Sequence, residues 1–306
     1  MSHVSRSRLA ATLCVGILAT SLAAIFIRMA QAEGVPALSI AAWRLTFASA
    51  VLLPFAAATR RDELCRTGRR DWLLLAASGL FLGLHFATWI GSLDYTSVAS
   101  SVVLVSTGPI FVALGSWLFL REPPSKQVLI GLATATVGTV VISSGDLGQG
   151  RSQLLGDLLA LAGGVAVAGY LIIGRRLRGG RSLIAYVAPV YAAAMVTVLL
   201  IALAGRQRML GFPAAAYGWM LVLALVPQLV GHTSLNWALR YTSATFVGIV
   251  TLAEPIASSV MAYVLLAEPI TRATFAGGAL VLAGVYVATR GSDSRATCQS
   301  PLRGHP

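Results

Sequence analysis

The sequence predicts an all-α integral membrane protein of ten transmembrane helices, and three observations support this prediction. Of the 306 residues, 57% are hydrophobic and only 11% are charged, whereas soluble domains carry charge on about a quarter of their residues. The apolar residues form long runs, and a helix needs about 20 such residues to cross the hydrocarbon core of a bilayer. These runs do not alternate apolar and polar residues at every second position, so they do not predict a transmembrane barrel.

Ten apolar segments follow one another along the chain, separated by short charged links. They lie at 9–29, 36–58, 72–92, 97–120, 126–143, 154–174, 183–204, 216–239, 244–267 and 271–289. Residues 1–8 form a short N-terminal tail, and the polar segment 291–306 predicts a disordered C-terminal tail. Ala30-Gln31-Ala32 resembles a signal-peptidase site. The apolar run before it is longer than the 7–15 residues of a signal core, so the first segment is retained as a helix.

The net charge of +12 indicates membrane topology rather than nucleic-acid binding, because the basic residues lie in links and tails beside apolar segments. With the N-terminus in the cytoplasm, 17 of the 23 Lys and Arg residues fall on the inner side and five on the outer side. The positive-inside rule therefore predicts that both termini are cytoplasmic in a bacterial inner membrane. Cys14, Cys65 and Cys298 are scattered and show neither a disulfide pattern nor metal-ligand spacing, so no metal and no cofactor are predicted.

The chain repeats itself at an offset of 146 residues. Tyr95-Thr96-Ser97 matches Tyr241-Thr242-Ser243, and the same offset relates pairs of Pro-Ile, Glu-Pro and glycine positions, namely Pro109/Pro255, Glu122/Glu268, Gly131/Gly277 and Gly138/Gly284. Each copy holds five segments, so the second copy enters the membrane from the opposite side. The sequence therefore predicts two inverted five-helix repeats, 9–147 and 154–290, an arrangement in which transporters place a site near the midplane.

These repeated motifs resemble the EamA repeat of the drug/metabolite transporter superfamily. The resemblance rests on the Tyr-Thr-Ser start, the mid-helix proline, the Glu-Pro helix end and glycines seven residues apart in both halves, and on Trp43-Arg44-Leu45 in the second segment. It implies a ten-helix carrier, often an exporter of amino acids or related metabolites. The halves differ at one position of interest, where Gly108 stands in place of Glu254.

Arg44 and Glu254 are charged residues inside predicted spans, where a charge costs roughly 2.5–3.5 kcal/mol on insertion scales. Glu254 shares a helical face with Thr251 and Ser258 by its spacing. It is interpreted either as a carboxylate that couples protons or binds a substrate amine, or as a structural acid. Arg44 is interpreted either as a ligand for a substrate carboxylate or as a residue that fixes a pair of helices. We hypothesise that Arg44 and Glu254 interact.

Two further polar or aromatic stripes are candidates for lining a cavity. Gln228, His232 and Asn236 recur at every fourth residue of one segment, and Phe81, His85 and Trp89 do so in another. The histidines relay protons or bind substrate in one interpretation and form interhelical hydrogen bonds in the other. Trp43 lies beside Arg44 and is also a candidate for the cavity. Paired glycines seven residues apart are explained by close helix packing.

The leading functional hypothesis is a secondary transporter that exports amino acids or related small metabolites by alternating access. The expected partners are a small-molecule substrate, membrane lipid and protons, with the chain acting as a monomer or homodimer. An alternative in the same superfamily is a flippase for a lipid-linked substrate or a multidrug exporter. A membrane-embedded enzyme is the alternative of a different class, but the sequence has no nucleophile elbow, zinc-protease motif or P-loop.

Overall fold

The structure, a computed structural model, describes residues 4–95, 101, 104–143, 153–266 and 272–298. The helices of this part are α1 (Arg6–Ser21), α2 (Ala23–Ala32), α3 (Ala37–Thr59), α4 (Arg61–Cys65), α5 (Arg69–Ser92), α6 (Gly108–Gly115), α7 (Lys126–Ser143), α8 (Gln153–Arg178), α9 (Leu183–Ala204), α10 (Ala214–Leu223), α11 (Thr233–Ala238), α12 (Ala244–Thr251), α13 (Glu254–Leu266) and α14 (Arg272–Cys298). Two π-helical segments, Ser116–Leu120 and Ala224–His232, continue α6 and join α10 to α11.

Among the described residues, seven helices are long and apolar enough to cross a membrane. Three shorter apolar helices, Gly108–Leu120, Lys126–Val141 and Phe275–Ala288, fall within the predicted segments 97–120, 126–143 and 271–289. The first predicted segment is longer than expected, since Arg6–Ala32 forms one span with a slight irregularity at Leu22. The prediction of an all-helical membrane protein is thus confirmed for the described part of the chain.

Prolines explain where the fourth and ninth segments depart from a continuous helix. A turn at 106–107 precedes Pro109, and a turn at 252–253 separates α12 from α13 just before Pro255. Proline has no N–H, so it cannot bond the carbonyl four residues earlier, and its ring clashes there. The ninth predicted segment therefore consists of two helices, α12 and α13, although Ala244–Met261 is long and apolar enough to count as one span. The two breaks lie one repeat length apart.

Glycines bring α7 and α14 together backbone to backbone. A Cβ added at Gly131 would lie 2.5 Å from the carbonyl oxygen of Gly284, and one at Gly138 would lie 2.6 Å from that of Gly277. Gly131 pairs with the later glycine and Gly138 with the earlier one, so the two helices run antiparallel. Equivalent helices of the two copies thus cross each other in opposite directions, and the expectation of close packing is confirmed.

Several links that were predicted to share one side of the membrane lie at one end of the helix bundle, where they contact each other. Arg8, near the N-terminus, lies 5.8 Å from the Trp237 ring. The Arg175 side chain, near the end of α8, contacts the Leu239 carbonyl and the Glu122 carboxylate. Because α14 runs antiparallel to α7, its C-terminal end lies beside the start of α7, at this same end of the bundle, which we call the inner end.

The last helix corrects the prediction for the C-terminal tail. It continues from Arg272 to Cys298, so the segment 291–298, predicted as the start of a disordered tail, is helical. The sequence contains no proline between Pro269 and Pro301 that would stop the helix earlier. The remainder of that tail, residues 299–306, lies outside the described residues, as do 144–152 between the two predicted repeats and the Glu268-Pro269 motif.

Candidate functional site

Arg44 lies in the interior of α3 and is only 1% exposed. Its Nε donates a hydrogen bond to Oε1 of Gln228 over 2.8 Å. The guanidinium carbon lies 4.2 Å from the centre of the Phe86 ring, within the range of a cation–π contact. Both terminal nitrogens, Nη1 and Nη2, are buried and have no hydrogen-bond partner among the described residues. A buried donor left unpaired costs about 1–3 kcal/mol, and more when it is charged.

Glu254 lies at the first position of α13, directly after the break in the ninth segment. Its carboxyl group lies beside the side chain of Thr20 and is attracted by the charge of Arg44. No ion pair within 4.0 Å joins these two described residues, Arg44 and Glu254. The structure thus places Arg44 and Glu254 in the same region without joining them directly.

The break that carries Glu254 is fixed to the irregularity in the first span. The Ser21 hydroxyl donates to the carbonyl oxygen of Glu254 over 3.2 Å, and the Ser258 hydroxyl donates to the Ser21 carbonyl over 2.9 Å. These bonds satisfy backbone groups near two helix interruptions. Ser258 therefore serves the helix contact, and Thr251 donates to the Gly248 carbonyl of its own helix over 2.7 Å.

Phe86, which contacts the guanidinium, belongs to a group of aromatic residues on α5. His85 stacks on Trp89 with ring centres 5.8 Å apart and planes 12° apart. Phe86 meets His232 edge to face at 5.3 Å. The His85 Nδ1 is 3.0 Å from the carbonyl oxygen of Gly163, so this histidine also links α5 to α8. Trp89 Nε1 is buried and has no partner among the described residues.

Two tyrosines that the sequence interpretation did not select complete this region. Tyr170 and Tyr191 are buried, and both hydroxyls lie against the Nδ2 amide of Asn236. The Tyr191 hydroxyl also contacts the Thr233 hydroxyl at 3.2 Å. Tyr170 and Tyr191 were not predicted as site residues from the sequence, because tyrosines were treated as interfacial anchors at helix ends. Both occur in the middle of apolar segments. Phe86 was not selected either, because its sequence surroundings are those of ordinary apolar core.

The stripe of Gln228, His232 and Asn236 does face the interior, with Gln228 and Asn236 fully buried. Its local geometry differs from prediction, because residues Ala224–His232 form a π-helical segment around Pro227. The widened turn leaves the Gln228 carbonyl as an acceptor for the hydroxyls of Tyr191 and Thr233, each at 3.4 Å. We call Arg44, Phe86, His85, Trp89, Gln228, His232, Asn236, Tyr170, Tyr191 and Glu254 the central cluster.

Two predicted candidates lie away from this cluster. Trp43 donates from Nε1 to the Met209 carbonyl over 2.8 Å and packs on Phe47 and Tyr217, toward the opposite end of the bundle from Arg8. Phe81 packs against Gly169, where an added Cβ would lie 2.8 Å from its ring. In the described part of the chain, His, Cys, Asp and Glu do not assemble into a group of three that could hold a metal.

The outer end, opposite the inner end, holds few charges. The Ser39 hydroxyl donates to the Arg208 carbonyl over 2.7 Å and, like Trp43, fixes the start of α3 to the link after α9. Burial raises the pKa of Asp94, which lies in the link after α5. The inner end, in contrast, is held by charged contacts between the halves. Arg181 pairs with Asp71 at 2.8 Å, and the Ser182 N–H donates to Glu63 over 2.8 Å.

The chemistry of the central cluster is that of a site for a charged or polar small molecule. The Arg44 terminal nitrogens can donate to an anionic group, and a carboxylate accepts two such bonds in parallel. Glu254, in the same region, can supply an acceptor or a titratable proton. The rings of Phe86, His85 and Trp89 add an aromatic surface beside the guanidinium.

Comparison with known proteins finds relatives among membrane transporters. The model of the EamA-like transporter family matches residues 9–144 and again residues 154–290. An uncharacterized transporter of Archaeoglobus fulgidus is 29% identical over 274 residues, covering 83% of this chain and 97% of its own length. The uncharacterized transporter YyaM of Bacillus subtilis is 24% identical, covering 82% of this chain and 84% of its own. A riboflavin transporter of Vibrio cholerae is 26% identical over 110 residues, or 36% of each chain.

The fold also has a solved counterpart. A crystal structure superposes with a TM-score of 0.78, covering 94% of this chain and all of that one, at 20% sequence identity. At that identity the likeness concerns the fold alone. The family model covers nearly the whole chain in two copies and the relatives match over most of their length, so this multi-pass membrane protein belongs to the EamA-like transporter family.

Proposed function

We propose that the protein is a secondary transporter that exports amino acids or related small metabolites across a bacterial inner membrane by alternating access. In this proposal ten spans form two inverted five-helix repeats, with both termini in the cytoplasm. Support for the topology comes from the basic residues concentrated at the inner end and from the antiparallel crossing of α7 and α14. Support for transport comes from family membership and from polar groups gathered beside helix breaks.

One observation carries the substrate class. The Nη1 and Nη2 groups of buried Arg44 have no partner in the described protein, and Glu254 lies nearby without forming an ion pair with Arg44. A zwitterion satisfies both charges at once, since its carboxylate accepts from the guanidinium and its ammonium group donates to Glu254. Binding of this kind neutralises two buried charges, which is favourable where water is excluded.

The position of Glu254 near Arg44 also supports the proposal that transport is coupled to protons. Glu254 either holds a proton or binds the substrate amine, and both events neutralise the same carboxylate. A proton and an ammonium group therefore compete for it, which is the requirement for exchanging one against the other across the membrane. The two conformations are expected to differ at the inner end, where the Asp71–Arg181 and Glu122–Arg175 pairs cross between the halves.

To test this proposal, the purified protein is reconstituted into proteoliposomes, and the uptake of a panel of radiolabelled amino acids is measured under an imposed pH gradient. We expect accumulation of at least one amino acid that depends on the gradient, and we expect Glu254→Gln to abolish that dependence. Glu33→Gln, which changes an acid in the link between α2 and α3, is the matched control and leaves transport unchanged. Transport that proceeds equally without a gradient and survives Glu254→Gln would show that Glu254 does not couple protons.

Riboflavin is a second candidate substrate, because the central cluster contains aromatic rings of the kind that bind a planar ring system, namely His85 and Trp89. The Vibrio cholerae relative named for riboflavin matches only about a third of this chain, so riboflavin is placed in the panel beside the amino acids. A lipid-linked substrate and a broad range of drugs are two further candidates. Inhibition of amino-acid transport by lipids would favour the lipid-linked substrate, and inhibition by unrelated hydrophobic cations would favour the drugs.

A further inference from the structure

A cleft of about 240 Å³ opens at the inner end, between the start of α5 and the end of α8. It is lined by Arg70, Asp71, Leu74, Arg176, Leu177, Gly180 and Arg181. Three of these residues are arginines and one is an acid, so the lining carries a net charge of about +2. The cleft lies far along α5 from His85 and does not share a residue with the central cluster.

The arginines of the cleft are not equivalent. Arg181 is 7% exposed and its guanidinium is already bound, with Nη2 2.8 Å from Asp71 and Nη1 2.7 Å from the Thr67 hydroxyl. Arg70 and Arg176 are exposed, and their side chains have no hydrogen-bond or ion-pair partner among the described residues. Arg181 neutralises the charge of Asp71. The guanidinium groups of Arg70 and Arg176 therefore face the cleft without a neutralising partner among the described residues.

The neighbouring helix surface indicates which anion would reach this cleft. Leu73 and Leu80 are 62% and 47% exposed and follow Arg70 on the same side of α5 at helical spacing. Trp72, 42% exposed, lies one residue from Asp71, where membrane aromatics mark the level of the headgroups. An acyl chain lying along Leu73 and Leu80 would therefore place its phosphate at Arg70.

We propose that this cleft binds the phosphate of an anionic phospholipid headgroup, held between the guanidinium groups of Arg70 and Arg176. Arginine binds phosphate through parallel N–H bonds, and basic pockets between membrane helices are suited to anionic headgroups. A headgroup there bridges α5 of the first half and α8 of the second half, beside the Asp71–Arg181 pair. The inference does not rest on the proposed function, since lipid binding is measured without transport.

The test is a titration of the full chain in detergent micelles with phosphatidylglycerol, read by native mass spectrometry and by the melting temperature. We expect Arg70→Gln/Arg176→Gln to weaken the apparent lipid affinity by about tenfold or more. The control is Arg60→Gln/Arg61→Gln, which removes the same charge from exposed arginines of the inner end that do not line the cleft. This control should bind within about twofold of the wild type.

Several outcomes would overturn the inference. Equal weakening in both double variants would mean that general surface charge attracts the lipid, and unchanged affinity in the cleft variant would mean that the lipid binds elsewhere. Displacement of the lipid by millimolar inorganic phosphate would assign the cleft to soluble phosphate compounds. If the cleft variant melts too early to be measured, Asp71→Asn replaces it. Removing that acid should tighten phosphatidylglycerol binding, and weaker binding would contradict the site.

Discussion

The Nε of Arg44 donates to Oε1 of Gln228 over 2.8 Å and so joins α3 of the first half to the π-helical segment of the second half. One nitrogen of the guanidinium is used for this bond, and the other two remain without a protein partner among the described residues. Arg44 is therefore positioned by one bond and left able to form others. Because one nitrogen is bonded and two are not, an experiment can distinguish a structural role of Arg44 from a role in binding substrate.

Replacing the Arg44–Gln228 pair with apolar residues is expected to remove function and leave the fold intact. Arg44→Met/Gln228→Leu eliminates a buried charge and its partner together, which is often neutral or stabilising by about 1–4 kcal/mol. Substrate affinity should fall by about 100-fold, since a desolvated charge partner is worth roughly 2–5 kcal/mol. Isothermal titration and melting temperature measure the two effects. Arg60→Met is the control, and a large loss of stability in the double variant would favour a structural role.

The glycine contact between α7 and α14 predicts a sharp steric effect. In Gly131→Ala the new methyl group would lie 2.5 Å from the Gly284 oxygen and 2.8 Å from Ala288, so the helices must separate, at a cost of about 1–3 kcal/mol. Gly218→Ala is the matched control, because nothing lies within 4 Å of its Cβ and alanine favours the helix by up to about 1 kcal/mol. Thermal unfolding in detergent should show a lower midpoint for the first variant alone. Equal midpoints would contradict the close packing.

The proposed topology is testable through a native cysteine. Cys65 is exposed at the inner end, whereas Cys14 lies on the exposed, apolar surface of α1. In a variant that retains only Cys65, a membrane-impermeant maleimide should label permeabilised cells and leave intact cells unlabelled. Ala215→Cys in a cysteine-free background lies at the outer end and should label in intact cells. The reverse pattern would place the inner end outside the cell.

Restoring an N–H at the break before Glu254 should impair transport and not folding. Pro255→Ala allows the Thr251 carbonyl to be bonded, so the ninth segment can straighten and carry Glu254 away from Arg44. We expect the transport rate to fall at least about fivefold with an unchanged or higher melting temperature. Pro54→Ala, at an exposed proline inside α3, is the control and should transport normally. An active Pro255→Ala variant would show that the break is not needed.

Hydrophobic run length was sufficient to predict an all-helical membrane protein, and seven of the described helices are long and apolar enough to be spans. It was sufficient because a bilayer tolerates little except apolar helices with their charges at the ends. The central cluster was predicted in part, since charged and polar residues inside spans are few and conspicuous. Arg44, Gln228, His232 and Asn236 were identified in this way, and the structure brings them together.

The remaining features depend on geometry that a linear pattern does not contain. Trp43 is adjacent to Arg44 in sequence, but successive helix positions differ by about 100°, and its ring faces the link at Met209 instead. The π-helical segment at Gln228 and the turn at 252–253 interrupt the regular helix on which the predicted spacing relies. Tyr170, Tyr191 and Phe86 look like ordinary apolar residues until the fold places them around Asn236 and Arg44.

The two proline breaks, at 106–107 and 252–253, bear on the symmetry of the two halves. The same kink occurs once in each half, one repeat length apart. An acid follows the kink only in the second half, at Glu254. At the equivalent position Gly108 lies against Gly164, and an added Cβ would come 3.0 Å from Val167 and 3.2 Å from the Gly164 carbonyl oxygen, so a side chain there would be crowded. In the transport that we propose, the two halves therefore contribute unequally, because only one of them supplies an acid.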